Sequence, residues 1–176
     1  MMKKYILGLF VLALATNMAF SQAAPLKWYT IQEALALNAK NPKKIMVDVY
    51  TDWCGWCKRM DAETFSNPII AEYISKNFYP VKYNAESKEP VEFAGKKFVN
   101  IGGGTRSTNQ FAEALLQNQM SYPSVAYITE DLQLIGAIPG YYKPVELEPL
   151  LNFIAQNKYK EMKFDDFKAS FKGSFN

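Results

Sequence analysis

The sequence predicts an α/β domain in which a central mixed β-sheet is flanked by helices. The apolar, β-branched run from Ile45 to Tyr50 and the run from Tyr79 to Asn84 each have the length of a strand, and the stretch between them carries helical signals. Strand, helix and strand at that spacing make a right-handed crossover with parallel strands. Farther on, Ser124 to Thr129 and Leu134 to Ile138 flank the turn Glu130-Asp-Leu-Gln133, the pattern of an antiparallel pair ended by Pro139-Gly140. The amphipathic stretch after Pro144, with Val145, Leu147, Leu150, Leu151 and Ile154 on one side, is the helix that covers such a sheet.

At the N-terminus, Met1-Met-Lys-Lys-Tyr5 is basic, Ile6 to Ala15 is apolar, and Ala19-Phe-Ser21 offers a small-x-small cleavage site before Gln22. Residues 1–21 are therefore expected to be a cleaved secretory signal peptide, too short and wrongly flanked to span a membrane. No Cys follows the apolar run, so no lipoprotein anchor is expected. Residues 22–176 are expected to form one domain without stable membrane insertion, periplasmic or secreted, in an oxidising compartment. A hydrophobic content of 49% supports a full core, and no repeat is visible. The net charge of +3 includes two leader lysines, so the near-neutral remainder points to neither nucleic acid nor an acidic surface as a partner.

Thr30-Ile-Gln-Glu33 is a capping-box pattern. It starts a helix to about Ala39, with Ile31, Ala34, Leu35 and Leu37 inward and Trp28 expected beneath it. Asn67-Pro68 caps a helical stretch from Ile69 to Phe78 with Ile70, Tyr73, Ile74 and Phe78 on one side. Residues 86–109 are the least regular part. Phe93 to Phe98 predicts a hairpin and Gly102-Gly-Gly104 a flexible turn, which lacks the Gly-Lys-Ser/Thr of a phosphate loop. Thr108 or Asn109 caps a helix to about Gln117, with Phe111, Ala112 and Leu115 inward. Phe164, Phe167, Phe171 and Phe175 recur at spacings of three and four, the stripe of a terminal helix docked on its own domain; a partner-binding or membrane-surface helix is the alternative.

The chemistry is concentrated in Trp53-Cys-Gly-Trp-Cys57, between the first strand and the helix after it. Cysteines at i and i+3 fall on one helical face, where their Cα atoms come within roughly 5–6 Å, the range a disulfide needs. Cys54 and Cys57 can therefore pass between dithiol and disulfide with little backbone movement. The unsatisfied N–H groups and dipole of the helix start favour a thiolate at Cys54, lowering its pKa below about 8.5. Cys57, one turn further in, is then the resolving thiol. A zinc site needs about four ligands, and this chain has no His and only two Cys, so only a dimer could build one. Haem attachment needs a His where Lys58 stands, and a purely structural disulfide would close too short a loop to matter. No metal and no cofactor is expected.

Asp48 stands mid-strand in an apolar run, where burial raises a carboxyl's pKa and equips it to take the proton of Cys57. An Asp turned outward at a strand end is the plainer alternative.

The stretch Val47-Asp-Val-Tyr-Thr-Asp-Trp-Cys-Gly-Trp-Cys-Lys58 resembles the active-site segment of the thioredoxin superfamily. Its continuation, Arg59 to Pro68, is similar to the secreted disulfide-interchange branch that includes the C-terminal periplasmic domain of a transmembrane electron transporter. The resemblance runs from about Ile31 to Ala155. It implies a thioredoxin fold, here with an insertion before a cis-proline and a C-terminal helical extension. In that family an Asp stands six residues before the first Cys, as Asp48 does, and Lys82 falls where the family places a lysine near it. Pro123 matches the cis-proline that shapes the substrate groove, while Tyr122 departs from the smaller residue usual before it. Trp56 departs too: thioredoxins carry Pro there and strong oxidants His. Trp supplies neither rigidity nor charge, so Cys54 is expected to be moderately acidic and the potential reducing or intermediate.

The resemblance thus implies a thiol–disulfide oxidoreductase, reductase or isomerase before oxidase, with Trp53, Gly55 and Trp56 completing the motif and Tyr122 and Pro123 binding substrate. Its partners would be disulfide-containing proteins and a membrane electron donor, and the protein itself a monomer. The competing expectation is a non-catalytic peptide-binding module with a permanent disulfide.

Overall fold

The computed structural model describes residues 25–175, so the expected signal peptide lies outside the described residues. The elements in chain order are α1 (Ile31–Lys40), β1 (Lys44–Tyr50), α2 (Gly55–Met60), a π-helical turn (Asp61–Phe65), α3 (Pro68–Asn77), β2 (Phe78–Asn84), β3 (Val91–Phe93), β4 (Lys96–Phe98), α4 (Gln110–Leu115), β5 (Ser124–Ile128), β6 (Leu134–Pro139), α5 (Pro144–Ala155), a 3-10 turn (Lys158–Lys160) and α6 (Phe164–Ser170).

The main sheet has the order β2-β1-β5-β6. Here β1 runs parallel to β2, with Asp48 opposite Lys82, and antiparallel to β5; β6 is antiparallel to β5. This is the expected mixed sheet. Alternation along β1 sends Ile45, Val47 and Val49 to a core shared with α1 and α4, and Met46 to one shared with α3 and α5. Asp48 follows Met46 onto the second side. The segment before α1 extends the sheet past β2 by a single bridge: the Tyr29 N–H donates to the Pro80 carbonyl at 2.9 Å and the Lys82 N–H to the Tyr29 carbonyl at 3.3 Å. No helix among the described residues is long and apolar enough to cross a membrane.

The capping box on α1 forms in full, with Glu33 N–H donating to Thr30 Oγ1 and Thr30 N–H to Glu33. Four local expectations need correction. Trp28 does not lie under α1; it packs edge-on against Phe65 at 5.0 Å on the opposite face of the sheet, and Tyr29 takes the α1 side. Consecutive extended residues point to opposite faces, so the two aromatics divide between the cores. Phe78 is not helical: α3 ends at Asn77 and Phe78 begins β2, because the chain turns extended there and its side chain fills the core from the strand. Val145 in the first turn of α5 is exposed, while Pro149 and Leu150 behind it are buried. The phenylalanine stripe is helical only to Ser170; Phe171 and Phe175 leave the helix yet still pack against the same core.

The insertion between β2 and α4 contains the expected hairpin, β3 with β4, turned by Ala94 and Gly95 at φ of 49° and 75°. Asn109 caps α4 by accepting the Phe111 N–H at 2.9 Å. Gly102 to Gly104 form loop.

Candidate redox-active site

Where β1 ends, the Cys54 N–H donates to the Thr51 carbonyl at 3.1 Å and closes the turn that starts α2. Cys54 is the N-cap of that helix, and its Sγ accepts the Cys57 N–H at 3.1 Å. Cys54 and Cys57 form a disulfide with their Cα atoms 5.3 Å apart. Both are buried, at 5% and 2% exposure, so the difference in shielding between them is slight.

Asp48 is 1% exposed. Its Oδ2 accepts from Lys82 Nζ at 2.5 Å, and its Oδ1 has no hydrogen-bond partner among the described residues. Burial pushes the Asp48 carboxyl up to about 6, against the pull of the Lys82 ammonium. The lysine is itself shared: Asp61, in the π-helical turn four residues after Cys57, also accepts from Nζ. Its ammonium lies 4.9 Å from the Trp28 ring centre, 5.2 Å from Tyr50 and 5.6 Å from Phe65. Asp61 was not singled out from the sequence, although its place one helical turn beyond Cys57 is a signal that could have found it.

The Tyr122-Pro123 peptide is cis. It directly precedes β5, whose Ser124 pairs with Val49 near the end of β1, so it lies at the same end of the sheet as the cysteines. Trp53 joins the two regions, its ring edge-on to Tyr122 at 6.1 Å.

Trp56 has a setting that its residue type did not foretell. Its ring lies 5.4 Å from Tyr141, and the Arg59 guanidinium stands 5.2 Å from the one and 5.7 Å from the other. Glu63 ties the group together, accepting from Arg59 Nε at 2.9 Å and from the Tyr141 hydroxyl at 2.5 Å. Trp56 itself supplies neither the rigidity of a proline nor a charge, but its neighbours brace the ring and place the Arg59 guanidinium over it. Gly55, at the first position of α2, has open space where a Cβ would stand, so no neighbouring atom requires a glycine there.

Residues 31–155 match the thioredoxin-like domain family, and the chain belongs to that family. An uncharacterized protein of Archaeoglobus fulgidus is 36% identical over 88 residues, which cover 49% of this chain and 69% of its own. The thiol:disulfide interchange protein DsbD of Pectobacterium atrosepticum is 33% identical over 64 residues, 35% of this chain but 11% of DsbD. Among solved structures, a thioredoxin from Thermus thermophilus superposes with a TM-score of 0.55 at 17% identity, covering 85% of this chain and all of that one. The fold is the thioredoxin fold of the disulfide oxidoreductases, and it carries a Cys54–Cys57 pair.

Proposed function

We propose that this protein is a thiol–disulfide oxidoreductase of an extracytosolic compartment, working as a reductase or isomerase on proteins that contain disulfides. The observation that carries the reading is Cys54 at the start of α2, its sulfur accepting the Cys57 N–H. In the dithiol form, the Cys54 thiolate attacks one sulfur of a substrate cystine; a mixed disulfide forms and the other substrate sulfur leaves as a thiolate, which takes up a proton. Cys57 then loses its proton, attacks Cys54 Sγ and expels the second substrate sulfur. The substrate gains two electrons and two protons, and the pair ends as the disulfide. Asp48, with a pKa near 6, is ionised at neutral pH yet basic enough to accept the Cys57 proton. A dithiol donor must restore the pair, and a membrane electron transporter fits that role. Pro123 and Tyr122 offer the surface on which an extended substrate strand lies.

Reduction of insulin by dithiothreitol tests the reading: the protein should accelerate it, Cys54→Ser should abolish the acceleration, and Cys57→Ser should accumulate mixed disulfides. No acceleration, with a disulfide that glutathione leaves intact, would instead favour a non-catalytic module. Secretion is tested separately, since N-terminal sequencing of the exported protein should begin near Gln22.

A further inference from the structure

The insertion between β2 and α4 reaches back to the cysteine pair. Trp53, next to Cys54, is 52% exposed, and three groups hold its indole. Glu86 accepts its Nε1–H at 2.8 Å, Tyr122 meets its ring edge-on, and the Arg106 guanidinium lies over it at 5.2 Å. Arg59 is stacked on Trp56 in the same manner, but Arg59 is engaged by Glu63. Arg106 makes no ion pair among the described residues.

The loop that presents Arg106 is anchored at its base. Asn100 Nδ2 donates to the Ser107 carbonyl at 2.6 Å, Ser107 Oγ donates to Asn100 Oδ1 at 2.8 Å, and Lys88 bonds Ser107 as well. Gly102 passes so close to Ser107 that a Cβ there would clash with the serine side chain. A guanidinium that lies over an indole and has no ion-pair partner among the described residues keeps N–H donors for an incoming group, and its planar fork fits a carboxylate in two-point fashion. The other charges near the motif are differently placed. Glu86 is taken up by the indole N–H, Asp52 accepts from Asn84 at 3.1 Å, and Lys58 is an exposed side chain on α2 with no ring beneath it among the described residues.

We propose that Arg106 is a specificity-determining residue that selects protein substrates bearing an Asp or Glu carboxylate close to the cystine under attack. The identification of the bound segment as a cystine-containing substrate rests on the oxidoreductase reading. The charge preference does not, since it is a property of the surface beside Trp53 in the disulfide form.

Calorimetric titration of the oxidised protein tests it, using three peptides of one sequence in which Ser replaces each Cys and the neighbouring residue is Glu, Gln or Lys. The Glu peptide should bind about threefold tighter than the Gln peptide, as expected for an exposed ion pair, and the Lys peptide weakest. Arg106→Gln should bring the three together, whereas Lys58→Gln should leave their ratios unchanged. Equal affinities, no measurable binding, a preference that survives Arg106→Gln, or one that Lys58→Gln removes equally would each overturn the assignment. Cystine versions of the same peptides then go into the reduction assay. Charge-selective binding without turnover would count against the oxidoreductase reading and leave the role of Arg106 standing.

Discussion

Asp48 is a carboxylate held at 1% exposure with one ammonium to offset its burial. Its pKa rises from 3.8 to about 6 because desolvation outweighs the attraction of Lys82. A carboxyl with a raised folded pKa binds more protons in the native state than in the unfolded state, so its contribution to stability falls as pH climbs between those values and the loss is complete above about 6. The shift corresponds to roughly 2–3 kcal/mol. Asp48→Asn should therefore be at least as stable as the parent at pH 7, with Asp61 still holding Lys82, and the advantage should shrink toward pH 4. Urea unfolding at several pH values reads this. Mixed-disulfide decay followed by stopped flow should slow in the same variant near neutral pH; an unchanged rate would leave Asp48 a purely structural group. Asp48 was legible in the sequence because a charge interrupts an apolar run. The place of Asp61 one turn beyond Cys57 was legible too, but its bond to Lys82 was not, since it joins residues 21 apart in the chain.

Elements whose cause is local were legible; those that depend on which face of the sheet a side chain takes were less so. The capping box of α1, the Asn109 cap and the β3–β4 hairpin each follow from a few adjacent residues. Trp28 was misplaced because one residue of register exchanges the two faces of an extended segment, and Phe78 because α3 ends one residue before the apolar spacing does. In the hairpin turn, Ala94 adopts φ of 49°, a region that costs a residue with a Cβ about 1 kcal/mol. Ala94→Gly should recover much of that, raising the melting temperature, while Gly95→Ala, at φ of 75°, should lower it. At the start of α3, Asn67 Oδ1 accepts the Ile69 N–H at 3.0 Å. Asn67→Ala should cost about 1 kcal/mol in chemical denaturation.

Across the whole molecule, the C-terminal extension closes the core that lies behind the cysteine helix. Phe153 of α5 meets Phe164 and Phe167 at 5.4 Å, and Phe167 meets Phe171 at 5.5 Å. Beyond α6, the Ser174 N–H donates to both oxygens of the buried Glu148, at 2.7 and 3.0 Å, which fastens the tail to α5. Phe167→Ala should destabilise the protein by about 3 kcal/mol, read from its denaturant midpoint. Truncation after Lys160 should leave a folded but weakened domain that binds a hydrophobic dye. All three tryptophans of the chain gather at the opposite concern of the molecule, its chemistry: Trp28 beneath Lys82, Trp53 and Trp56 on either side of Cys54 in the chain. No indole elsewhere dilutes their ultraviolet emission. Because Trp53 and Trp56 flank Cys54, tryptophan emission is expected to change when dithiothreitol reduces the Cys54–Cys57 disulfide, and fluorescence spectra of the two forms would read it.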